Sequence, residues 1–428
     1  MSKAKSQRTK RSQVTKEPDV QANTSTSGRR VVEIQELLVL ITHELEAKQR
    51  RDLMRVSKHF FRSIGPIAWR NVPRLDIIMR LVKNIKVKLG ESWADYKWQF
   101  MITLPRNSDF SRYDLYAPWV QELELYGGYY VEVTNPRKLP SFFNGRVPLP
   151  NLQRLTASTS APIGGKDLVD FFDTFVCPSL TELRTVIPNK GLPVADFLRV
   201  VSSDVPALLQ KIKVNCPQIQ VLEFYPDGMA RFDQLGNERY VPTAQCKSVL
   251  QSFSSLRSFS STTYILKPEI IGILGSLPCL ESLGIRGMPT EPSVLDEELS
   301  IPETWFLVLK HLRLYEISPD DIKSLWNQPT IAKKLRSALF QIDYLNHRHP
   351  EDSPLFTENW LGPFLEALPQ LSPQLQDISL YIGGLDNMTE IPRNMWNVFK
   401  LKHDLDYLFY GYKACLARQD AGTIAGPA

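Results

Sequence analysis

The 428-residue sequence is poor in cysteine, and its cysteines form no pattern that suggests a disulfide framework or a zinc site. There are five of them, an odd number, at wide spacings, and no Cys-x-x-Cys pair occurs. We therefore expect the protein to work in a reducing compartment, cytoplasmic or nuclear or both, and not to be secreted.

Long apolar runs are also missing from the sequence. No stretch approaches the roughly 18 apolar residues that a transmembrane helix requires. The basic start of the chain is not followed by an apolar segment, which is unlike a secretory signal. The sequence therefore predicts neither a membrane partner nor a secretory leader.

Excess positive charge is confined to the beginning of the chain. Residues 1–30 carry a net charge of +6, whereas the whole chain carries +5, so the remainder is nearly neutral. The first 30 residues are polar and almost free of large apolar side chains, and we predict a disordered basic tail over 1–30. A nearly neutral remainder gives no indication of a nucleic-acid partner.

Motifs that would support catalysis are sparse. His347 and His349 stand beside two acids in "HRHPED", but no third ligand follows at a spacing typical of a metal site. Gly164-Gly165-Lys166 lacks the other residues of a phosphate-binding loop. We therefore predict no catalytic residue, no metal ligand and no cofactor. An enzyme with a site in the insertions stays open as an alternative, supported only by the two histidines.

Two amphipathic segments follow the tail. The first segment places Leu37, Leu38, Ile41 and Leu45 on one helical face, and the second repeats this spacing at positions 53, 56 and 60. Gly65-Pro66 is predicted to end the second segment's helix, since proline lacks an amide donor. Ile67 and Trp69 are expected to fold back on the helices. So small a unit buries little surface alone and usually needs a neighbour or a partner.

The segment 31–72 resembles the F-box, and more closely the F-box-like proteins abundant in fungi. The resemblance lies in the following residues: Glu36-Leu37-Leu38, Ile41, Leu45, Val56-Ser57-Lys58, Phe60, Pro66 and Trp69-Arg70. The sequence departs from the family at two points. Glu33-Ile34 stands where the family has Leu-Pro, and the polar Gln49-Arg50-Arg51 stands where it has Asp-Leu-Leu.

The resemblance implies that this segment binds a Skp-type adaptor and, through it, the cullin of a ubiquitin ligase. The implied adaptor-binding residues are the apolar ones of the segment: Ile34, Leu37, Leu38, Ile41, Leu45, Leu53, Val56, Phe60 and Trp69. The chain itself would then be a non-catalytic receptor that brings a protein substrate to the ligase.

Residues 73–118 read as a transition, with a helix over 75–87 and a strand within 97–105. From 119 to 415 the chain repeats a strand signal of the form Leu-x-x-Leu, often introduced by proline. The first apolar anchors of these signals are Val120, Leu152, Leu180, Ile219, Leu256, Leu280, Leu309, Leu339 and Leu375. Helix-like segments lie between them, at 164–175, 267–277, 318–328 and 359–371.

This alternation predicts an α/β fold, a βα solenoid with parallel strands on its concave face and helices outside. It resembles the irregular leucine-rich-repeat array that often follows an F-box. The aromatic run 404–419 is expected to cap the last repeat, and 416–428 to form a flexible tail. An irregular α/β domain whose strands happen to contain Leu-x-x-Leu remains the alternative.

Period-2 alternation assigns the leucines to the core and the intervening residues to a surface that would face a protein substrate. Those residues are Glu122, Glu124, Arg154, Arg184, Glu223, Tyr225, Arg286, Arg313, Tyr315 and Tyr381. Tyrosine and arginine are enriched at protein–protein hot spots. The sequence thus predicts a ubiquitin-ligase substrate receptor or, as the alternative, a repeat scaffold that binds protein without recruiting a ligase.

Overall fold

The computed structural model describes residues 34–91, 98–126, 130–134, 139–157, 166–185, 199–227, 240–287, 293–295, 300–343 and 361–383. The chain divides into two compact units, Met1–Ala68 and Trp69–Ala428. The predicted basic tail, the His347/His349 segment, the aromatic run 404–419 and the C-terminal tail lie outside the described residues.

The described part of the first unit, the helical unit, consists of three helices: α1 (Gln35–Glu44), α2 (Ala47–Met54) and α3 (Lys58–Ala68). Its buried apolar side chains are few and include Leu38, Met54 and Ile64. The predicted helix end at Gly65-Pro66 was wrong, because α3 continues through Pro66. The proline stands in the last turn at an exposed position, so it removes one terminal hydrogen bond and not the middle of a ladder.

The second unit, the sheet unit, alternates strands and helices. Its helices are α4 (Leu75–Met79), α5 (Ser111–Tyr116), α6 (Leu139–Phe142), α7 (Lys166–Phe175), α8 (Val205–Asn215), α9 (Ala244–Gln251), α10 (Pro268–Gly275), α11 (Pro319–Trp326), α12 (Pro329–Ala332) and α13 (Leu361–Leu371). The first strands are β1 (Asn71–Val72), β2 (Lys86–Glu91), β3 (Trp98–Thr103), β4 (Glu122–Glu124), β5 (Tyr130–Thr134), β6 (Arg154–Thr156), β7 (Glu182–Arg184) and β8 (Arg199–Val201). The others are β9 (Val221–Glu223), β10 (Tyr225–Asp227), β11 (Ser258–Thr262), β12 (Ser282–Arg286), β13 (His311–Tyr315), β14 (Ser337–Asp343) and β15 (Asp377–Gly383).

Ten of these strands form one parallel sheet in chain order, β1-β4-β6-β7-β9-β11-β12-β13-β14-β15. Two small sheets, β2-β3-β5 and β8-β10, lie in the connections. The predicted α/β class is therefore confirmed. The helix predicted over 75–87 is shorter than expected, since α4 ends at Met79, residues 80–84 form turns, and β2 begins at Lys86. In the described part of the chain, no helix has the length and apolar character needed to span a membrane.

One row of apolar side chains runs across the whole ten-stranded sheet. Its members face one another in register: Val72, Leu123, Leu155, Leu183, Leu222, Phe259, Leu283, Leu312, Ala338 and Ile378. All ten are buried. This row forms the base of the core, and the alternate residues of each strand lie on the opposite side, here called the polar face.

The predicted anchors mark the strand entries, with one exception. Anchors such as Val120, Leu152 and Leu180 are buried and stand two residues before a strand. Leu339 was wrongly assigned, because it lies inside β14 and the buried Leu335 occupies the anchor position. The error has a simple cause, since the second apolar residue of this repeat is Ala338, which hides the Leu-x-x-Leu spacing.

Candidate functional site

The helical unit carries an exposed apolar stripe along α1. Leu37, Leu40 and Ile41 are exposed and share one side of the helix by their spacing, and the exposed Ile34 stands at the N-cap. Leu38 faces inward and is only 2% exposed. We define the exposed four as the apolar stripe. Leu40 was not among the residues predicted from the sequence, although its position three residues after Leu37 indicates the same side of the helix.

The other predicted adaptor-binding residues of the helical unit divide by burial. Val56, in the turn after α2, is 65% exposed and so belongs with the accessible apolar residues. Leu45, Leu53 and Phe60 are half-buried. The burial of Leu38 places it in the unit's own core, so it holds the helices together and is not a surface contact.

Two of the polar residues that depart from the F-box pattern have structural partners. The Glu46 amide donates to Gln49 Oε1 at 2.9 Å, and the Glu46 side chain caps the start of α2 in return. Arg50 Nε donates to the Leu45 carbonyl at 2.8 Å, and its Nη2 donates to the His43 carbonyl at 3.0 Å. Gln49 and Arg50 therefore fix the turn between α1 and α2.

Trp69, which was predicted as an adaptor contact, belongs to the sheet unit and not to the helical unit. It lies in the sheet unit, where its ring meets that of Tyr116 at 4.6 Å between centroids. It also packs against the unit's hydrophobic core. A large aromatic ring beside an available core gains more by burial there than by exposure to solvent.

On the polar face of the sheet, the predicted residues line up in rows across the strands. Glu122, Arg154 and Glu182 face one another in register, as do Glu124, Thr156 and Arg184. Farther along, Thr262, Arg286, Tyr315, Gln341 and Tyr381 form another row. The Tyr381 side chain lies outside the described part of the chain.

An ion-pair ladder crosses β4, β6 and β7. Arg154 Nη1 donates to Glu122 at 3.2 Å, and Arg154 Nε donates to Glu182 Oε2 at 2.8 Å. Arg184 Nε donates to the same Glu182 oxygen at 3.1 Å. Burial alone would raise the pKa of Glu182, but the two guanidinium groups outweigh it and hold the pKa below its ordinary value. Glu182 was not among the surface residues predicted from the sequence, although it lies two positions before the predicted Arg184 and therefore on the same face of the strand.

A second group, on β9 to β13, is more enclosed than predicted. Glu223, Tyr225 and Arg286 were assigned to a surface, but they are 5%, 2% and 4% exposed. They cover one another, since the Tyr225 hydroxyl donates to Glu223 Oε1 at 2.9 Å and the Arg286 guanidinium lies over the Tyr225 ring. Burial raises the pKa of Glu223 despite the nearby Arg313, Arg184 and Arg286. The alternation of residues along each strand correctly predicted the face of the sheet on which these side chains lie, but it could not predict how deeply they are buried.

Arg313 reaches across β12 to the strand beyond it. Its Nη2 donates to Ser260 Oγ at 3.2 Å and to Ser258 Oγ at 3.3 Å, both on β11. The residue of β12 between them is Gly284, paired with Ser260 on one side and Arg313 on the other. A Cβ at Gly284 would lie 2.2 Å from Ser260 Oγ. A side chain at position 284 would therefore collide with Ser260.

The remaining predicted residues stay accessible on the polar face. Tyr315 is half-buried, and Arg286 lies over its ring at 4.6 Å from the centroid. Glu124 is also half-buried and accepts the Tyr126 amide at 3.2 Å. The structure thus joins most of the predicted surface residues into two groups. One is the ion-pair ladder, and the other, here called the Arg286–Arg313 group, consists of Glu223, Tyr225, Arg286, Arg313 and Tyr315.

Metal ligands do not cluster in the described ranges, where no group of three or more His, Cys, Asp or Glu residues is arranged to hold an ion. Comparison with known proteins gives no identification, since neither the protein-family models nor the curated proteins contain a match.

Proposed function

We propose that this chain is the substrate-recognition subunit of a Skp–cullin–F-box-type ubiquitin ligase. In this proposal the helical unit is an F-box-like motif that binds the adaptor. The sheet unit is an irregular leucine-rich-repeat solenoid whose polar face binds a protein substrate. The chain catalyses nothing itself and raises the effective concentration of substrate lysines near a recruited conjugating enzyme.

The observation that carries the adaptor half of the proposal is the apolar stripe. An apolar side chain that stays in water forgoes roughly 25 cal/mol per Å² of stabilisation that burial would give. Three such side chains on one side of a ten-residue helix, with a fourth at its N-cap, form an apolar surface suited to a partner's helix or groove. Because the surrounding residues resemble the F-box, we propose a Skp-type adaptor as that partner.

The solenoid half of the proposal rests on a recurring hydrogen-bond pattern. A single carbonyl before each strand accepts two successive amides of the next repeat: the Gln121 carbonyl binds the amides of Gln153 and Arg154, and the Gln153 carbonyl binds those of Thr181 and Glu182. The same pattern continues as far as the Arg336 carbonyl. Repetition of one unit with its neighbour supplying the core is the organisation of solenoid proteins.

The test is co-purification of the full-length chain with a Skp-type adaptor. The decisive variant is Leu37→Ala/Ile41→Ala/Val56→Ala, which removes exposed side chains only, and adaptor binding should fall at least tenfold. Lys48→Ala, at an exposed position on α2, is the surface control and should bind like wild type. Unchanged circular dichroism establishes that each variant is folded.

A repeat scaffold without ligase recruitment is the competing function. Its support is that Gln49 and Arg50 stabilise the α1–α2 turn where the F-box family has Asp-Leu. If the wild-type chain retains no adaptor in the same experiment, the scaffold function replaces the ligase function.

A further inference from the structure

The turns that lead into the strands of the main sheet repeat one geometry. In most of them the anchor residue donates its amide to the carbonyl three positions earlier, as Leu335 does to Ala332 at 3.4 Å. The last residues of successive turns are joined as well, because the Lys310 amide donates to the Glu281 carbonyl and the Arg336 amide donates to the Lys310 carbonyl. Equivalent residues of neighbouring turns therefore lie side by side along one edge of the sheet unit.

The charge of these turns changes along the chain. The first four turns contain no charged residue: PWVQ (118–121), PNLQ (150–153), PSLT (178–181) and PQIQ (217–220). The next four contain five positive charges and one negative charge: SSLR (254–257), PCLE (278–281), LVLK (307–310) and KKLR (333–336). The last turn, PQLQ (373–376), is again uncharged. Basic residues are thus concentrated in one stretch of an otherwise uncharged edge.

The basic side chains of this stretch are accessible and are only partly neutralised. Glu281 is shared by Arg257 and Lys310, whose nitrogens lie 3.6 Å and 3.5 Å from its carboxylate oxygens. Both basic side chains stay partly in solvent, at 60% and 36% exposure. The exposed Asp377 of β15 adds one further negative charge beyond the stretch. Within the described part of the chain, three of the basic residues form no ion pair: Lys333, Lys334 and Arg336.

An exposed leucine stands at the tip of one of these turns. Leu307 is 64% exposed, and the equivalent tip residue of the next turn is Lys333. Six of the nine turns have proline at this position. Phe306, just before the tip, is buried and has a φ of 50°, in the left-handed region that bulky residues rarely adopt. An apolar tip beside basic side chains is the combination that binds an anionic membrane surface.

We propose that this stretch binds the surface of an anionic lipid bilayer, and we call its members the basic edge: Leu307, Arg257, Lys310, Lys333, Lys334 and Arg336. The basic side chains attract anionic headgroups, and Leu307 enters the boundary of the acyl chains. Leu307 favours a membrane over a nucleic acid, because the phosphate backbone of a duplex offers it no apolar contact.

The inference goes beyond the proposed ligase function, since the basic edge is neither the apolar stripe nor the polar face. The sequence-based prediction of no membrane partner concerned spanning and signal segments. A protein that lies on the membrane surface requires neither of these segments.

The experiment is co-sedimentation of the full-length protein with lipid vesicles, so it does not depend on adaptor binding. The vesicles are phosphatidylcholine alone, or phosphatidylcholine with one part in three of phosphatidylserine. The wild type should bind the phosphatidylserine vesicles at least tenfold more tightly, and added salt should weaken this binding by screening. Lys333→Gln/Lys334→Gln/Arg336→Gln should weaken it at least tenfold, because each basic residue near an anionic surface contributes about fivefold.

Two matched controls locate the contact. Lys3→Gln/Lys5→Gln/Arg8→Gln removes the same charge from the basic start of the chain and should weaken vesicle binding less than the edge variant does. Leu307→Ala should weaken binding at least threefold, whereas Leu115→Ala, equally accessible on α5, should not change it. Unchanged circular dichroism establishes that each variant is folded, and Leu307→Ala tests the edge even if the triple variant is not.

Three results would overturn the proposal. The first is equal binding of wild type to the two kinds of vesicle. The second is a loss in the variant at the start of the chain that equals or exceeds the loss in the edge variant. The third is retention of a short DNA duplex that the edge variant loses, with Leu307→Ala binding vesicles like wild type, which would indicate a nucleic-acid surface. Failure of adaptor binding would leave all three readouts unaffected and would count only against the ligase function.

Discussion

The helical unit and the sheet unit treat their apolar residues in opposite ways. The sheet unit buries an unbroken row from Val72 to Ile378 and surrounds it with further apolar side chains. The described helical unit leaves the whole apolar stripe exposed and buries few large side chains. The difference bears on stability: the sheet unit supplies its own core, whereas the helical unit keeps an apolar surface that we propose a partner covers.

The largest effect should come from the buried row. Phe259 is fully buried on β11 and packs edge-to-face with Phe224 at 5.9 Å. Phe259→Ala should lower the free energy of unfolding by about 3–5 kcal/mol, through lost burial and a residual cavity. Leu40→Ala, in the apolar stripe, should change it by less than about 0.5 kcal/mol. Urea denaturation followed by circular dichroism measures both, and equal losses would remove the contrast between the two units.

A smaller loss is expected at the glycine that Arg313 crosses. Gly284→Ala should destabilise the sheet unit by about 1–3 kcal/mol, because the new methyl group meets Ser260 Oγ and Cβ. Gly90→Ala on β2 is the matched control, since its nearest contact is the flexible end of Met101 at 3.3 Å. The double variant Ser260→Gly/Gly284→Ala removes the clashing atoms and should recover part of the loss. Without such recovery, the steric explanation is wrong.

The smallest effects distinguish the two groups on the polar face. The contributions of Glu182 and Glu223 to the free energy of unfolding change with pH in opposite directions. The lowered pKa of Glu182 stabilises the folded state above its ordinary pKa of 4.5, and this contribution is lost as the pH falls through the folded-state value. The raised pKa of Glu223 has the opposite effect. Ionised Glu223 destabilises the folded state at high pH, and this destabilisation decreases as the pH falls toward 4.5.

Glu182→Gln should therefore destabilise the protein most at neutral pH, by under about 1 kcal/mol because the pairs are partly exposed. Glu223→Gln should instead gain stability relative to wild type as the pH rises from about 5 to about 8. Urea denaturation of wild type and both variants across this range gives the differences directly. Parallel curves for the two variants would contradict the assignment of Glu223 to a desolvated site and Glu182 to a paired one.

Much of the fold was predictable from periodicity alone, because anchors such as Leu152 and Leu180 repeat with the strands they precede. Departures had local causes: Ala338 in a leucine position hid one anchor, and Pro66 fell in a last helical turn that tolerates it. The polar face was predicted by alternation, but the burial of Glu223 and the reach of Arg313 over Gly284 depend on contacts between residues far apart in sequence. The contact of Trp69 with Tyr116 likewise joins residues 47 positions apart in the sequence.

The measurement that tests the central claim most directly is assembly of the full-length chain with purified Skp-type adaptor and cullin, followed by size-exclusion chromatography with light scattering. The ligase function predicts a complex containing one copy of each protein, and the Leu37→Ala/Ile41→Ala/Val56→Ala variant should elute separately from the adaptor and cullin. A wild-type chain that elutes alone beside an adaptor–cullin complex would contradict the claim.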